Sequence, residues 1–414
     1  MDWTACVGID WGDRKHAYEI CERGGTRNRG EVESSPEAVH AWVRGLRERF
    51  PLGAIVVAVE HGRWSLLYLL MVYEFLILVP INPRASKTYR DSLRLSGASS
   101  DPYDAALICD FVMKHLSELR VWKPDDPITR KLRLLVEHRR GLVDQRTGFT
   151  HTLADTLKQY FPQALQWFGG EKSHLLRAIL ARWSTLDQLR TASLEDIASV
   201  MRAQRCRKIA TAAKTVIEKI RAAVPLTSDT AIIDGYANYA RSLAAVIDPL
   251  DVQVARYDEL IAVEWAEHPY REIFDSLPGA GKVMAPRLAV AFGLDTSRYA
   301  NPEEVQCYSG IAPVIEQSGR QSWTHARWGY PKFLHQTFHE FAQASIPHSA
   351  WAKAVYDEHR EHDAGHHEAI RALAFRWIRI LFSLWKNEEK YDEQRHIETL
   401  TKKQSPIVRR LTAA

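Results

Sequence analysis

Two acidic residues follow apolar runs of the kind that form buried strands. Asp10 comes directly after residues 5–9, and Glu60 comes directly after residues 54–59. Both carboxylates are therefore expected at the carboxyl ends of strands, where open sheets place their functional sites. A carboxylate such as Glu60 at the end of an apolar strand needs a cationic partner or a metal ion. Asp10, which is followed by an aromatic residue and a glycine, is equally compatible with a turn after a strand.

Two further acids lie at the start of an apolar stretch with helical spacing, residues 102–119. Asp101 and Asp104 are three residues apart, so their side chains share one face of a helix. An alternative is local: with Pro102 as the first helical residue, Asp101 is a natural N-cap and Asp104 its capping partner. Considered alone, the pair favours a helix cap.

Taken together, Asp10, Glu60, Asp101 and Asp104 predict a metal site. Carboxylate oxygens are hard ligands that suit Mg²⁺ or Mn²⁺. Two such ions about 4 Å apart stabilise the attacking and the leaving oxygen of a phosphodiester at the same time. The four acids in this order therefore predict metal-dependent cleavage of a nucleic-acid backbone.

Composition fits a large intracellular enzyme. A chain of 414 residues with 46% hydrophobic content is expected to fold as two or three domains. The five cysteines show no CxxC or zinc-type spacing, which argues against a disulfide framework or structural metal and favours the cytoplasm. The first residues lack the pattern of a signal peptide, and the most apolar stretch, 66–81, is too short to span a bilayer, so no membrane association is expected.

Positive charge is concentrated in the middle of the chain. Residues 123–221 contain 19 Lys and Arg against 10 Asp and Glu, although the net charge of the whole chain is only +4. Basic residues clustered on helices attract a phosphate backbone, and the alternative is a solvated helix face. The candidate nucleic-acid contacts are Arg130, Lys131, Arg133, Arg139, Arg140 and Arg146 on one predicted helix and Arg202, Arg205, Arg207 and Lys208 on another.

The order of elements predicts a mixed α/β domain followed by helices. Three strands, a helix over 36–50, a fourth strand, a helix over 64–74 and a fifth strand over 75–80 indicate a ribonuclease-H-like sheet. Residues 126–267 show apolar residues only at helical spacing, which predicts a helical, coiled-coil-like arm.

The third part contains two loops with candidate contacts. Residues 276–283 resemble a nucleotide-binding loop, but Ser276 stands in place of its first glycine and Val283 in place of its final Ser or Thr. We therefore expect a turn between two helices, either plain or facing a DNA phosphate through glycine amides and Lys282. Ser318 lies in a glycine-containing loop and is either a turn serine or a nucleophile for phosphorus. Cations that would neutralise the transition-state charge are Arg320, Arg327 and Lys332.

The ordered set of motifs resembles the DEDD-type bacterial insertion-sequence transposases, whose first domain is similar to the RuvC resolvase and whose last domain carries a serine. The matching segments are Gly8-Ile9-Asp10, Glu60, Leu95-Ser96-Gly97 with Asp101 and Asp104, Leu277-Pro278-Gly279, Ser309-Gly310, Ser318-Gly319 and His366-His367-Glu368-Ala369. Ser99-Ser100 stand where the family often has Lys-Thr.

The family resemblance implies roles and partners that the spacing of the residues alone does not. Asp10, Glu60, Asp101 and Asp104 are expected to bind Mg²⁺, and Ser318 is expected to link covalently to DNA. The implied partners are the DNA of the element ends and target, a structured guide RNA transcribed from the element's own end, and further copies of the chain in a homodimer or homotetramer. Family members build one site from domains of different protomers.

The predicted domains are a RuvC-like catalytic domain over 1–122, a helical arm over 123–267, a mainly helical transposase domain over 268–395 and a tail over 396–414. Two other functions remain open: a Holliday-junction or structure-specific endonuclease that uses metal-activated water, and a non-catalytic nucleic-acid-binding protein. The opening Asp10-Trp11-Gly12 is also similar to sugar kinases, but their later phosphate loops are absent from the sequence. A histidine-rich segment, 359–367, has the residue types of a transition-metal site, yet Gly365 and the family resemblance favour a turn before a helix.

Overall fold

The computed structural model describes residues 3–60, 64–93 and 100–411. The chain divides into two compact units, Met1–Pro124 and Asp125–Ala414. The Leu95-Ser96-Gly97 motif and Ser99 lie outside the described residues. Across the described ranges, no helix combines the length and the apolar character needed to cross a membrane.

The first unit is a five-stranded mixed sheet with helices on both faces. Its elements are β1 (Trp3–Asp10), β2 (Lys15–Glu22), β3 (Arg27–Glu33), α1 (Pro36–Arg49), β4 (Ala54–Glu60), α2 (Trp64–Leu70), β5 (Leu76–Ile81), α3 (Pro83–Leu93) and α4 (Asp101–His115). The strand order is β3-β2-β1-β4-β5. Strand β1 pairs antiparallel with β2 and parallel with β4. This architecture confirms the predicted ribonuclease-H and RuvC-like fold.

Alternation of side chains along the central strands gives the sheet two cores. Val7 and Val57 point to the face covered by α1 and α2, whereas Cys6 and Val56 point to the face covered by α4. All four side chains are buried, as is expected for central strands with helices on both faces. The apolar runs that ended at the two candidate acids are therefore the centre of the first unit.

Two predicted helix boundaries were wrong. Helix α4 begins at Asp101 itself, and its N-cap is Ser100, whose carbonyl accepts hydrogen bonds from the backbone N–H groups of Tyr103 and Asp104. Asp101 is therefore not the cap, and the Asp104 carboxylate accepts a hydrogen bond from Arg90. Helix α2 ends at Leu70 because the chain turns there to enter β5.

The second unit is helical apart from one hairpin among the described residues. Its elements are α5 (Pro127–Tyr160), α6 (Gln163–Trp167), α7 (His174–Arg182), α8 (Leu186–Arg190), α9 (Leu194–Ala203), α10 (Ile209–Ala222), α11 (Thr230–Ala266), α12 (Arg271–Asp275), α13 (Gly281–Phe292), α14 (Pro302–Tyr308), β6 (Val314–Ser318), β7 (Gln321–His325), α15 (Lys332–Ser345), α16 (Ala350–Glu361), α17 (His366–Asn387), α18 (Glu393–Lys402) and α19 (Val408–Leu411).

The two longest helices, α5 and α11, pack along each other. Near one end, Leu132 of α5 and Trp265 of α11 belong to the core formed by the C-terminal helices. Near the other end, Leu157 and Leu243 belong to a separate core formed with the short helices α6–α10. The absence of strands over 126–267 agrees with the helical pattern of that region.

The hairpin β6–β7 was not predicted. Most of its residues are exposed, so it lacks the apolar alternation that marks a half-buried strand. Gly319, with φ of +59°, and Arg320 form the two-residue turn between paired Ser318 and Gln321. Ser318 therefore ends a strand at the tip of a hairpin and does not lie in an irregular loop.

Strand β1 and helix α4 touch through their backbones at Gly8. A Cβ atom at this position would lie 2.3 Å from the Ala105 carbonyl oxygen and 2.3 Å from the Cys109 nitrogen. We expect Gly8→Ala to lower the free energy of unfolding of the first unit by about 1 to 3 kcal/mol, because neither backbone atom can move alone. Thermal and urea unfolding of the full chain measure this.

The matched control is Gly45→Ala in α1, where a Cβ atom meets nothing within 4 Å. This helical site should gain stability from alanine. Equal effects of the two substitutions would contradict the contact at Gly8.

Candidate functional site

Asp10 and Glu60 leave the sheet at the same edge. Their strands, β1 and β4, are parallel neighbours, and the preceding residues Ile9 and Val59 are paired partners in the register. Both acids are half-buried. Asp10 and Glu60 therefore occupy adjacent positions at the carboxyl edge of the sheet, as the sequence analysis predicted.

Helix α4 brings the other two acids to this region. Its Ala105 carbonyl lies against Gly8, two residues before Asp10, and Asp104 directly precedes Ala105. Asp104 is half-buried and Asp101, one turn nearer the helix start, is exposed. The backbone contact at Gly8 thus fixes where the first turn of α4 lies relative to the end of β1.

Helix α3 crosses the site and contacts two of the acids. The Ser86 hydroxyl donates a hydrogen bond of 2.7 Å to Glu60 Oε1. One helical turn later, Arg90 Nη1 donates to Asp104 Oδ1 at 3.1 Å. Sequence analysis missed both residues. Their spacing of four residues was visible, but the position of α3 over the sheet edge was not.

The donor set fits a hard divalent cation. All four candidate ligands are carboxylates, the groups that hold Mg²⁺ or Mn²⁺ in proteins. Among the described residues, no three of these four acids have ligand atoms within 4.8 Å of one another. One oxygen of Asp104 instead accepts the hydrogen bond from Arg90, which therefore competes with a metal ion for this carboxylate.

A different trio has ligand atoms within 4.8 Å: His174, Asp248 and Asp251. The buried Arg177 guanidinium donates to both aspartates at 2.7 Å. Because this guanidinium already supplies the positive charge that a metal ion would bring, we interpret the trio as an arginine-centred ion-pair cluster. The histidine-rich segment 359–367 forms no such ligand group among the described residues.

Most of the candidate basic residues on α5 are paired with acids. The pairs are Lys131 with Glu264, Arg133 with Asp125, Arg139 with Asp258, Arg140 with Glu340 and Arg146 with Asp251, while Arg130 donates to the Asp125 carbonyl. Three of these acids lie on α11. The pairs therefore run along the α5–α11 contact, and their cations are only partly available to a nucleic acid.

The second basic cluster, residues 202–208, contains fewer ion pairs than the cluster on α5. Arg202 pairs with Glu195. Arg205, Arg207 and Lys208, in the connection between α9 and α10, are exposed and form no ion pair among the residues that the structure describes. These three cations are free to contact a phosphate backbone.

The candidate contacts of the C-terminal part lie in two places. Lys282 is exposed in the first turn of α13, after the predicted turn between two helices, which the structure confirms at 276–280. Ser318 and Arg320 are exposed at the tip of the β6–β7 hairpin. Arg327 and Lys332 follow the hairpin. The hairpin thus carries the serine with a cation two residues away.

Two family models match the chain. Residues 7–162 match the DEDD transposase model of IS110 elements, and residues 271–357 match a model described as transposase of the IS116/IS110/IS902 family. Together they cover more than half of the chain, including all four acids and Ser318. The chain belongs to this transposase family. It is accordingly a transposase that binds DNA, and membership indicates the use of a divalent metal.

Relatives of the transposase extend over nearly its full length. A protein of the IS117 mini-circle of Streptomyces coelicolor is 27% identical over 411 residues, covering 95% of this chain and 96% of the relative. The 42 kDa protein of IS900 from Mycobacterium paratuberculosis is 27% identical and covers 81% of this chain and 83% of its own. The 44.8 kDa protein of IS116 from Streptomyces clavuligerus is 25% identical, and the match covers 93% of this chain and 95% of the relative.

The Arg90–Asp104 contact predicts an effect on metal affinity. In Arg90→Ala, we expect the transposase to bind Mn²⁺ more tightly, because the guanidinium no longer competes for the Asp104 carboxylate or repels the ion. Asp104→Asn should bind Mn²⁺ more weakly. Calorimetry or electron paramagnetic resonance of the full chain measures both. Arg84→Ala, which removes an exposed cation from the same helix, is the control, and weaker binding in Arg90→Ala would contradict the competition.

The pairing pattern predicts which cations control salt dependence. Replacing Arg205, Arg207 and Lys208 by alanine should reduce the slope of log affinity against log salt concentration by about 2 to 3 for DNA or RNA. Arg139→Gln, which removes a cation already paired with Asp258, should leave the slope nearly unchanged. Binding titrations at several salt concentrations measure the slopes. A larger change in Arg139→Gln would show that the paired helix is the binding face.

Proposed function

We propose that this transposase excises and inserts its own insertion sequence by metal-dependent cleavage and rejoining of DNA strands, with a covalent serine–DNA intermediate. The observation that carries the proposal is the convergence of acids at one sheet edge. Asp10 and Glu60 end adjacent parallel strands, and the Gly8 contact directs the first turn of α4, with Asp101 and Asp104, toward them.

In this proposal the four acids hold Mg²⁺ or Mn²⁺. The bound ions supply positive charge to the phosphodiester oxygens in the transition state. The protein's own groups act on the site in two ways. The hydrogen bond from Ser86 restricts the rotamers of Glu60. The hydrogen bond from Arg90 competes with a metal ion for the Asp104 carboxylate.

Ser318 supplies the nucleophile. Its Oγ forms a bond to phosphorus as the bond from phosphorus to the leaving DNA oxygen breaks, and the hydroxyl proton is lost to solvent or base while the leaving oxygen takes one up. A later attack by another DNA end reverses these roles and frees the serine. Support for this assignment is the exposure of Ser318 at a hairpin tip and the neighbouring cation Arg320.

The proposal also includes the partners. We assign the DNA of the element ends and target as substrate, a structured guide RNA transcribed from the element as the determinant of target choice, and a homodimer or homotetramer as the working assembly. The unpaired cations Arg205, Arg207 and Lys208 are suited to a phosphate backbone in such a complex.

A second function uses the carboxylates alone. In a junction-resolving or structure-specific endonuclease, the four acids would hold metal ions that activate water for attack on phosphorus, and Ser318 would have a structural role. The observation favouring it is that all four acids belong to the first unit, whereas Ser318 belongs to the second. A non-catalytic nucleic-acid-binding protein is the third possibility, and it predicts no strand cleavage.

The deciding experiment traps the covalent intermediate. The full chain is incubated with Mg²⁺, labelled element-end DNA and RNA from the element's flank, then denatured, and protein-bound label is measured. We expect an adduct that falls to background in Ser318→Ala and in Asp10→Asn, and that persists in Ser322→Ala, an exposed serine of the same hairpin. Nicked DNA without any adduct would support the endonuclease. Adduct formation in Ser318→Ala would refute the serine assignment.

A further inference from the structure

The two faces of the β6–β7 hairpin differ in chemistry. Directly paired residues share a face, so the pairs Glu316 with Trp323 and Ser318 with Gln321 lie on one side. Trp323 is therefore the diagonal cross-strand neighbour of Ser318, with side chains about 7 to 8 Å apart. The opposite face carries Gln317 paired with polar Ser322. An aromatic ring thus accompanies the serine on its own face.

The Trp323 ring is held in place although it is exposed. Its Nε1–H donates a hydrogen bond of 2.9 Å to Glu316 Oε2, and His325 lies 3.3 Å from the other oxygen of the same carboxylate. The ring is 45% exposed. A fixed and exposed indole face is costly in water, because about 25 cal/mol is lost for each Å² of apolar surface left unburied. Tryptophan is enriched among the residues that contribute most to binding.

A second indole lies just beyond the hairpin. Trp328 is 83% exposed, the most exposed of the large hydrophobic residues that the structure describes. The adjacent Arg327 has a buried Nε that makes no hydrogen bond among the described residues. Arg320 at the hairpin tip and Lys332 at the start of α15 add exposed positive charge. The segment from β6 to α15 therefore alternates aromatic rings with cations.

We propose that Trp323 and Trp328 form a stacking platform for unpaired DNA bases beside Ser318. Rings interleaved with cations are the chemistry that binds single strands, because a ring stacks on any base while the cations contact the phosphates. Paired bases in a duplex keep their faces covered and cannot stack on the rings. The ligand class is therefore a single-stranded DNA segment.

The platform rests on the proposed function, since it places the bases next to the phosphate that Ser318 attacks. The platform also goes beyond the proposed function, because it assigns unpaired DNA as the form of the substrate. DNA must be locally unpaired where the strand is cut, and the two indoles stabilise that opened state. The exposed cations Arg320 and Lys332 are suited to hold the adjoining phosphates.

The test compares binding of one labelled oligodeoxynucleotide as a single strand and as a duplex. Trp328→Ala in the full chain should weaken single-strand binding about fivefold or more, while duplex binding changes less than about twofold. The double variant Trp323→Ala and Trp328→Ala should weaken it further. Replacing both tryptophans by phenylalanine should restore most of the affinity, because phenylalanine also stacks. Fluorescence anisotropy measures all affinities.

Tyr239→Ala removes an exposed aromatic side chain from α11 and is the control; its exposure, 51%, is close to the 45% of Trp323. Unchanged single-strand binding in Trp328→Ala, an equal loss for duplex, or a loss confined to an RNA strand of the same sequence would each overturn the proposal. Ser318→Ala should keep its single-strand affinity. Failure of the serine chemistry is therefore distinguishable from failure of the platform.

Discussion

The candidate site depends on the close approach of strand β1 and helix α4 at Gly8. The Ala105 carbonyl and the Cys109 backbone occupy the space of a side chain, so the helix lies directly on the strand. Cys109 Sγ also contacts the Cys6 carbonyl at 3.5 Å, which continues the same contact along the strand. Asp10 is two residues from Gly8 and Asp104 is one residue from Ala105. Because so little chain lies between, the contact restricts the positions of both carboxylates. Side chains on flexible loops would lack that restriction.

The distribution of charge in the long helices is governed by a second constraint. A cation on α5 that faces α11 is partly removed from water, and an acid on α11 offsets the cost of that desolvation. Arg139 and Arg146 each meet such an acid, Asp258 and Asp251. The basic character of this helix in the sequence is therefore largely neutralised in the fold. A local excess of positive charge predicts a binding surface only where the cations have no acidic partner among the described residues, as is the case for Arg205, Arg207 and Lys208.

The sequence predicted the first unit well because its central strands, β1 and β4, are apolar on both faces and each ends in a single acid. What it could not predict depends on distant packing. Ser86 and Arg90 matter only because α3 crosses the sheet edge, and no local pattern encodes that position. The N-cap of α4 is Ser100, one residue before the Asp101 that the local alternative predicted as the cap. The hairpin escaped detection because exposed strands carry no apolar alternation.

A two-stranded hairpin is only marginally stable alone in water, so β6–β7 requires support from its neighbours. That support is at its base. Gly310, with φ of +72°, leaves room for the Tyr330 ring, which a Cβ atom would approach to 2.4 Å. Tyr330 stacks on His335 with ring centroids 4.5 Å apart, and burial lowers the pKa of His335 and so favours the neutral ring. The contact between Gly310 and Tyr330 thus links the segment before the hairpin to the segment after it. Its tip, with Ser318, remains exposed to solvent, so the serine is held at the end of a hairpin whose base is fixed.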